Sequence, residues 1–128
     1  MRETREKEMA AVLALDGAAR FEHAVKRIVD EERAWGLWDN GWAMMEDDDG
    51  NRVFPLWPAH VYAELLAKGD WASYRPREIP LESLLDELLP RFRAEGVLPG
   101  VFPTPLGKGV TPTPDHLSAA LLRERERY

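Results

Sequence analysis

No cysteine occurs in the chain, which removes disulfides, thiolate metal sites and cysteine nucleophiles and is the usage expected of a protein kept in a reducing cytoplasm. Basic residues are in deficit, with 17 Lys and Arg against 23 Asp and Glu and a formal charge of -6. A nucleic-acid backbone is held by clustered cations, so nucleic acid is not an expected partner; a basic protein is. Long apolar runs are missing as well: no segment approaches the roughly 20 residues of a bilayer span. The three histidines are isolated, and no serine-nucleophile motif, paired-histidine metal motif or phosphate loop accompanies them. Internal repeats and low-complexity tracts are absent. With 45% hydrophobic and 31% charged residues over 128 positions, the expectation is a soluble α+β domain over residues 16–128. A charged, helical N-terminal arm over residues 1–15 precedes it, with Thr4 as cap and Met9, Val12 and Leu13 as its apolar stripe.

What the chain does have is concentrated between Trp35 and Trp57. Four of the five tryptophans fall there, with two turn signals and the most acidic run in the sequence. Trp35 to Trp38 reads as a strand closed by Asp39-Asn40-Gly41, where Asn and Gly tolerate the positive φ of a tight turn. Trp42 to Glu46 reads as a second strand, Asp47-Asp48-Asp49-Gly50-Asn51 as a second turn, and Arg52 to Trp57 as a third strand. Loops this short join antiparallel neighbours, so a three-stranded meander is expected.

Around it, Phe21, Val25, Ile28 and Val29 recur at helical spacing after Asp16-Gly17, with Arg20, Lys26, Arg27, Asp30 and Glu31 assigned to the solvent face. A second helix runs from Pro58 to Gly69 with Val61, Tyr62, Leu65 and Leu66 inward. Gly69 to Arg77 reads as an aromatic-pinned loop with at most a short strand after it. Leu81, Leu84, Leu85, Leu88, Leu89 and Phe92 mark a core helix that Pro90 should kink or end. Val97 to Phe102 and Gly109 to Thr111 read as a C-terminal hairpin around a Pro- and Gly-rich turn. Thr113-Pro114-Asp115 opens a last helix carrying Leu117, Ala120 and Leu121. Segregated hairpins and helices imply a mainly antiparallel sheet, meander plus hairpin, packed against amphipathic helices.

The succession Arg20-Phe21-Glu22-His23, Val29 to Trp38, Asp39-Asn40-Gly41-Trp42-Ala43, Asp47-Asp48-Asp49-Gly50, Phe54-Pro55-Leu56-Trp57-Pro58, Leu88-Leu89-Pro90 and Val101 to Gly109 resembles the bacterial family called domain of unknown function 2750. The resemblance spans about Ala18 to Leu122. It implies a small single-domain bacterial protein and brings no activity, cofactor or catalytic residue.

The residues themselves support a ranking of sites. The Asp47-Asp48-Asp49-Gly50 run does not fit a calcium loop: aligning Gly50 with the loop glycine puts Met45 at the first ligand and Leu56 at the bidentate one. No metal site or cofactor is expected. Gly107-Lys108-Gly109 fails as a phosphate loop because no Ser or Thr follows the lysine and prolines 103 and 105 remove amides, which leaves Lys108 as a lone anion contact. Of the tryptophans, at least half should be buried, with Trp35, Trp42 or Trp57 anchoring the core, while Trp38 and Trp71 sit beside turns. The expectation is a cytoplasmic, non-catalytic interaction module, immunity- or inhibitor-like, that meets a basic protein through an acidic aromatic surface of Trp38, Asp39, Asp47, Asp48 and Asp49. The alternative is a small-molecule-binding or hydrolytic protein with a pocket near Trp57, His60 and Trp71, where His60 and Glu64 stand one helical turn apart as an acid–base pair.

Overall fold

Asp16 starts the second helix, three residues after the first has ended. The computed structural model, which describes residues 6–107 and 109–128, has α1 over Glu6–Leu13 and α2 over Gly17–Glu31, with the Asp16 carboxylate accepting from the Ala19 N–H at 2.8 Å as N-cap. Thr4 lies outside the described residues. Val12 is buried, and Met9 and Leu13 pack against the core. Along α2, Val25, Ile28 and Val29 are buried as their spacing predicts and Phe21 packs half-buried against the core, but Ala24, Arg20 and Arg27 are buried too. The solvent-face assignment fails for these two because each guanidinium has a local acceptor. Arg20 donates to the Leu15 carbonyl at 2.6 Å, and Arg27 donates to Glu31 at 2.8 Å. Long stems also bury well once their heads are satisfied.

The strands are β1 (Arg33–Trp38), β2 (Met45–Glu46), β3 (Arg52–Leu56), β4 (Arg75–Pro80) and β5 (Leu98–Val101). The α+β architecture stands, with a strand arrangement that differs in detail from a meander plus a hairpin. The full ladder of β1 is antiparallel with β4, from Arg33 opposite Pro80 to Trp38 opposite Arg75. β2 and β3 pair antiparallel at Met45–Val53 and Glu46–Arg52, while β3 and β5 pair parallel from Val53–Leu98 to Leu56–Val101. Of the expected meander the antiparallel β2–β3 pair remains, with single bridges at Trp38–Trp42, across the first reversal, and at Trp35–Trp57, which joins the two sheets. Of the C-terminal hairpin there remains a Val101–Val110 bridge.

Pro55 shows how the sequence tolerates this. Trp57 exchanges both backbone hydrogen bonds with Trp35 at 2.9 Å, so Pro55, two residues earlier, faces the same side of the strand. There the pairing with β2 has already ended at Val53, and no donor is needed. β3 is buried from Val53 to Leu56, as a strand flanked on both edges and both faces should be.

The helix α3 (His60–Leu66) packs on β1 and β4, while α6 (Pro114–Arg125) lies against α2, β5 and the helix that precedes β5. That preceding helix is continuous from Leu81 but changes pitch: α4 (Leu81–Ser83), a π segment (Leu84–Leu88), then α5 (Leu89–Glu95), ended by Gly96 at φ 72°. Pro90 has no N–H and its ring crowds the carbonyl four residues back. A wider turn immediately upstream, with the Leu89 N–H reaching Leu84, absorbs the misfit without a break. Leu81, Leu84, Leu89 and Phe92 stay buried as their spacing requires.

Candidate functional site

The acidic turn is built by one of its own carboxylates. Asp47 accepts from the Asp49 N–H at 3.0 Å and the Asn51 N–H at 2.8 Å through Oδ1, and from the Asn51 side-chain amide at 3.0 Å through Oδ2. The Gly50 N–H closes on the Asp47 carbonyl at 3.1 Å, with Gly50 at φ 82°, where only glycine is unstrained. Asp47 is therefore a turn-forming residue first. Asp48 and Asp49 are exposed on the rim.

Facing that turn is the loop that follows β5. Gly100 lies so close to β3 that a Cβ there would stand 2.5 Å from Val53 Cγ1. Phe102 is fully buried at φ 63°, a left-handed conformation that costs a bulky residue on the order of 1–3 kcal/mol. The Phe102 N–H donates to the Leu56 carbonyl at 2.8 Å, and the Trp57 indole N–H donates to the Pro103 carbonyl, also at 2.8 Å. Beyond them a tight turn closes between Thr104 and Gly107 and leaves Leu106 wholly exposed at its tip. Lys108, the lone anion contact suggested by the sequence, lies outside the described residues.

Between the turn and the loop is a cleft of about 240 Å³. One wall is Glu46, Asp47, Asp48 and Asp49; Met45, Val53, Gly100 and Pro103 supply apolar surface, and Gly109 and Thr111 complete the lining. No basic side chain lines it among the described residues. Nor do three acidic or histidine side chains, among the described residues, converge on a point where they could hold a metal ion.

Trp38 and Asp39 belong to a different place. Trp38 meets Trp42 edge to face at 5.0 Å, and the Arg77 guanidinium lies 4.1 Å from the Trp38 ring and 5.6 Å from that of Trp42. Trp42 in turn covers Gly36, where a Cβ would stand 2.8 Å from its ring. Asp39 accepts from the Ser73 hydroxyl at 2.6 Å. With Arg75 opposite Trp38 in the ladder, the aromatic face carries cations, and the acidic charge sits at the cleft.

The second constellation does not assemble around Trp57. That indole is fully buried and its nitrogen is bonded to Pro103, so it offers no surface to a ligand. His60 does stand 3.1 Å from Glu64 through Nδ1, at 42% side-chain exposure, but its aromatic neighbour is Trp35, edge to face at 5.5 Å. Trp71 is half-buried beside Tyr74. Only Trp57 of the five tryptophans is fully buried, and the other four each keep an exposed edge. Trp57 anchors the core as expected, and Trp35, Trp42 and Trp71 pack half-buried against it.

A depression of about 620 Å³ lies between the end of α2, the start of α4 and Tyr128. Loss of solvation raises the Tyr128 phenol above its ordinary value, helped by the charges of Asp30 and Glu124 and by a hydrogen bond to Asp30.

Gly100, Pro103, Gly109 and Thr111, the second wall of the cleft, escape a sequence reading as site residues. The density of proline and glycine marks their loop, and nothing in the spacing says that it faces the acidic turn. No curated protein and no solved structure is significantly similar to the chain. The model of the family described as "Protein of unknown function (DUF2750)" matches residues 21–121, and over that span the chain belongs to this family.

Proposed function

We propose that the chain is a non-catalytic binding module of the cytoplasm, formed by residues 16–128 with an N-terminal arm, that takes a basic segment of a partner protein into the cleft between Glu46–Asp49 and the loop after β5. The observation that carries this reading is the make-up of the cleft: one continuous acidic wall beside apolar surface, with no cation lining it among the described residues. Lysine and arginine have that dual character, an aliphatic stem and a charged head. An immunity- or inhibitor-like role, in which the cleft neutralises a basic toxin or nuclease, is its concrete form.

Of the surface first suggested by the sequence, Asp48 and Asp49 bear the binding role, Asp47 supports it by holding the turn, and Trp38 and Asp39 are assigned to the Arg77 cluster. Affinity capture from native lysate tests the reading with the D48K/D49K variant, which spares the turn-forming Asp47. One basic protein retained by the wild type and lost by the variant is the expected outcome. Equal retention by both forms would refute it.

A further inference from the structure

We infer that Asn40 is a site of spontaneous deamidation, and that its isoaspartate product loosens the Trp38–Trp42 hairpin. Side-chain amides occur at two positions only, Asn40 and Asn51, and three Asp or Asn residues precede a glycine: Asp16, Asn40 and Asp49. The folded structure separates these candidates. The Asp16 carboxylate caps α2 through Ala19. The Gly50 N–H after Asp49 is bonded to the Asp47 carbonyl at 3.1 Å. The Asn51 side-chain amide is held by Asp47, and the residue that follows it, Arg52, carries a Cβ.

Asn40 differs at each point. It is exposed, at φ 57°, at the apex of the reversal between Trp38 and Trp42. Among the described hydrogen bonds, none uses its side-chain amide or the Gly41 N–H; the bond that closes the turn runs from the Asp39 N–H to the Gly41 carbonyl at 2.9 Å. A Cβ built on Gly41 meets nothing within 4 Å, so the residue after Asn40 is uncrowded. The electrophile and the nucleophile are thus adjacent and, among the described hydrogen bonds, unengaged.

The chemistry requires only water. The Gly41 nitrogen gives up its proton and attacks Asn40 Cγ, the Cγ–Nδ2 bond breaks, and ammonia departs with a proton, leaving a five-membered succinimide. Water then opens the ring. Cleavage between nitrogen and Cγ gives aspartate, whereas cleavage between nitrogen and the main-chain carbonyl carbon gives isoaspartate, whose main chain runs through Cβ. Either product adds a negative charge beside Asp39. Isoaspartate also lengthens the backbone at the apex of a reversal pinned by the Asp39–Gly41 and Ala43–Leu37 bonds, and so displaces Trp42 from Trp38.

The test is peptide mapping of the full chain after prolonged incubation at physiological temperature and mildly alkaline pH, folded and denatured in parallel, with fragmentation that distinguishes isoaspartate from aspartate. Asn40 should convert in the folded chain at a rate within a few-fold of the denatured chain, while Asn51 conversion and Asp49–Gly50 isomerisation are suppressed by folding. G41A, which the open space accepts, should slow the Asn40 reaction several-fold and leave the unfolding midpoint unchanged. Asn40 that stays intact when folded yet converts when denatured would overturn the inference, as would G41A reacting as fast as wild type.

Discussion

Single side chains here do two kinds of work that residue type alone does not separate. Asp47, Asp48 and Asp49 are chemically identical, but only Asp47 ties its turn together through two backbone amides and one side-chain amide. Asp47→Ala should therefore lower stability by about 1 kcal/mol, while Asp48→Ala and Asp49→Ala should stay within about 0.5 kcal/mol of wild type in denaturant unfolding. Trp57 is the opposite case, a fully buried indole whose nitrogen anchors Pro103. Trp57→Phe removes both volume and a buried bond, and a loss of about 2–4 kcal/mol is expected by the same measurement. Tyr128 gives a pH signature. Because its folded value lies above the ordinary 10.0, its contribution to stability is complete below that value and is lost as pH rises through the raised one. Tyrosinate absorbance should show the Tyr128 phenol titrating late, and Asp30→Asn should move it back toward the ordinary range. Sequence reading went wrong at this scale where charge was equated with solvent. Arg20 and Arg27 are buried because a carbonyl one turn away and a carboxylate at the next turn were within reach.

Elements were legible to the extent that local pattern decides them. The stripe of α2, the leucines of the helix from Leu81 and the cap of α6 at Thr113 all follow from spacing and capping chemistry, and the structure repeats them. β4 was visible only as a possible short strand because Arg75-Pro76-Arg77-Glu78 lacks alternation and carries two prolines with Pro80; its partner β1 makes it a strand. The parallel pairing of β3 with β5 is likewise non-local and left no sign in either segment. The helix around Pro90 shows local and tertiary demands reconciled. A proline inside a regular helix costs about 3 kcal/mol or more. If the π segment over Leu84–Leu88 absorbs the misfit, Pro90→Ala should raise stability by well under that amount; a gain of the full size would show that strain remains. Gly36 tests the other packed element. A Cβ there enters the Trp42 ring, so Gly36→Ala should cost about 1–3 kcal/mol and change tryptophan fluorescence as Trp42 moves off β1.

At the scale of the whole molecule, a net charge of -6 is not spread evenly. Arg77 lies on the tryptophan face with Arg75 beside it in the ladder, while Glu46 to Asp49 gather at one cleft. Among the described residues no helix is long and apolar enough to cross a membrane. The sequence revealed the acidic wall of the cleft but not the second wall. That wall is placed by the left-handed turn at Phe102 and by the Trp57–Pro103 bond, both products of the finished fold. The most direct test of the account is an amide NMR titration of the full chain with a short arginine- and lysine-rich peptide. Shifts confined to Met45 through Asp49, Val53, Gly100, Gly109 and Thr111, weakened by salt as expected for contacts screened over about 10 Å at 0.1 M and abolished in D48K/D49K, are the predicted result. Shifts centred on Trp38 and Arg77 or on His60, or shifts that D48K/D49K leaves unchanged, would contradict it.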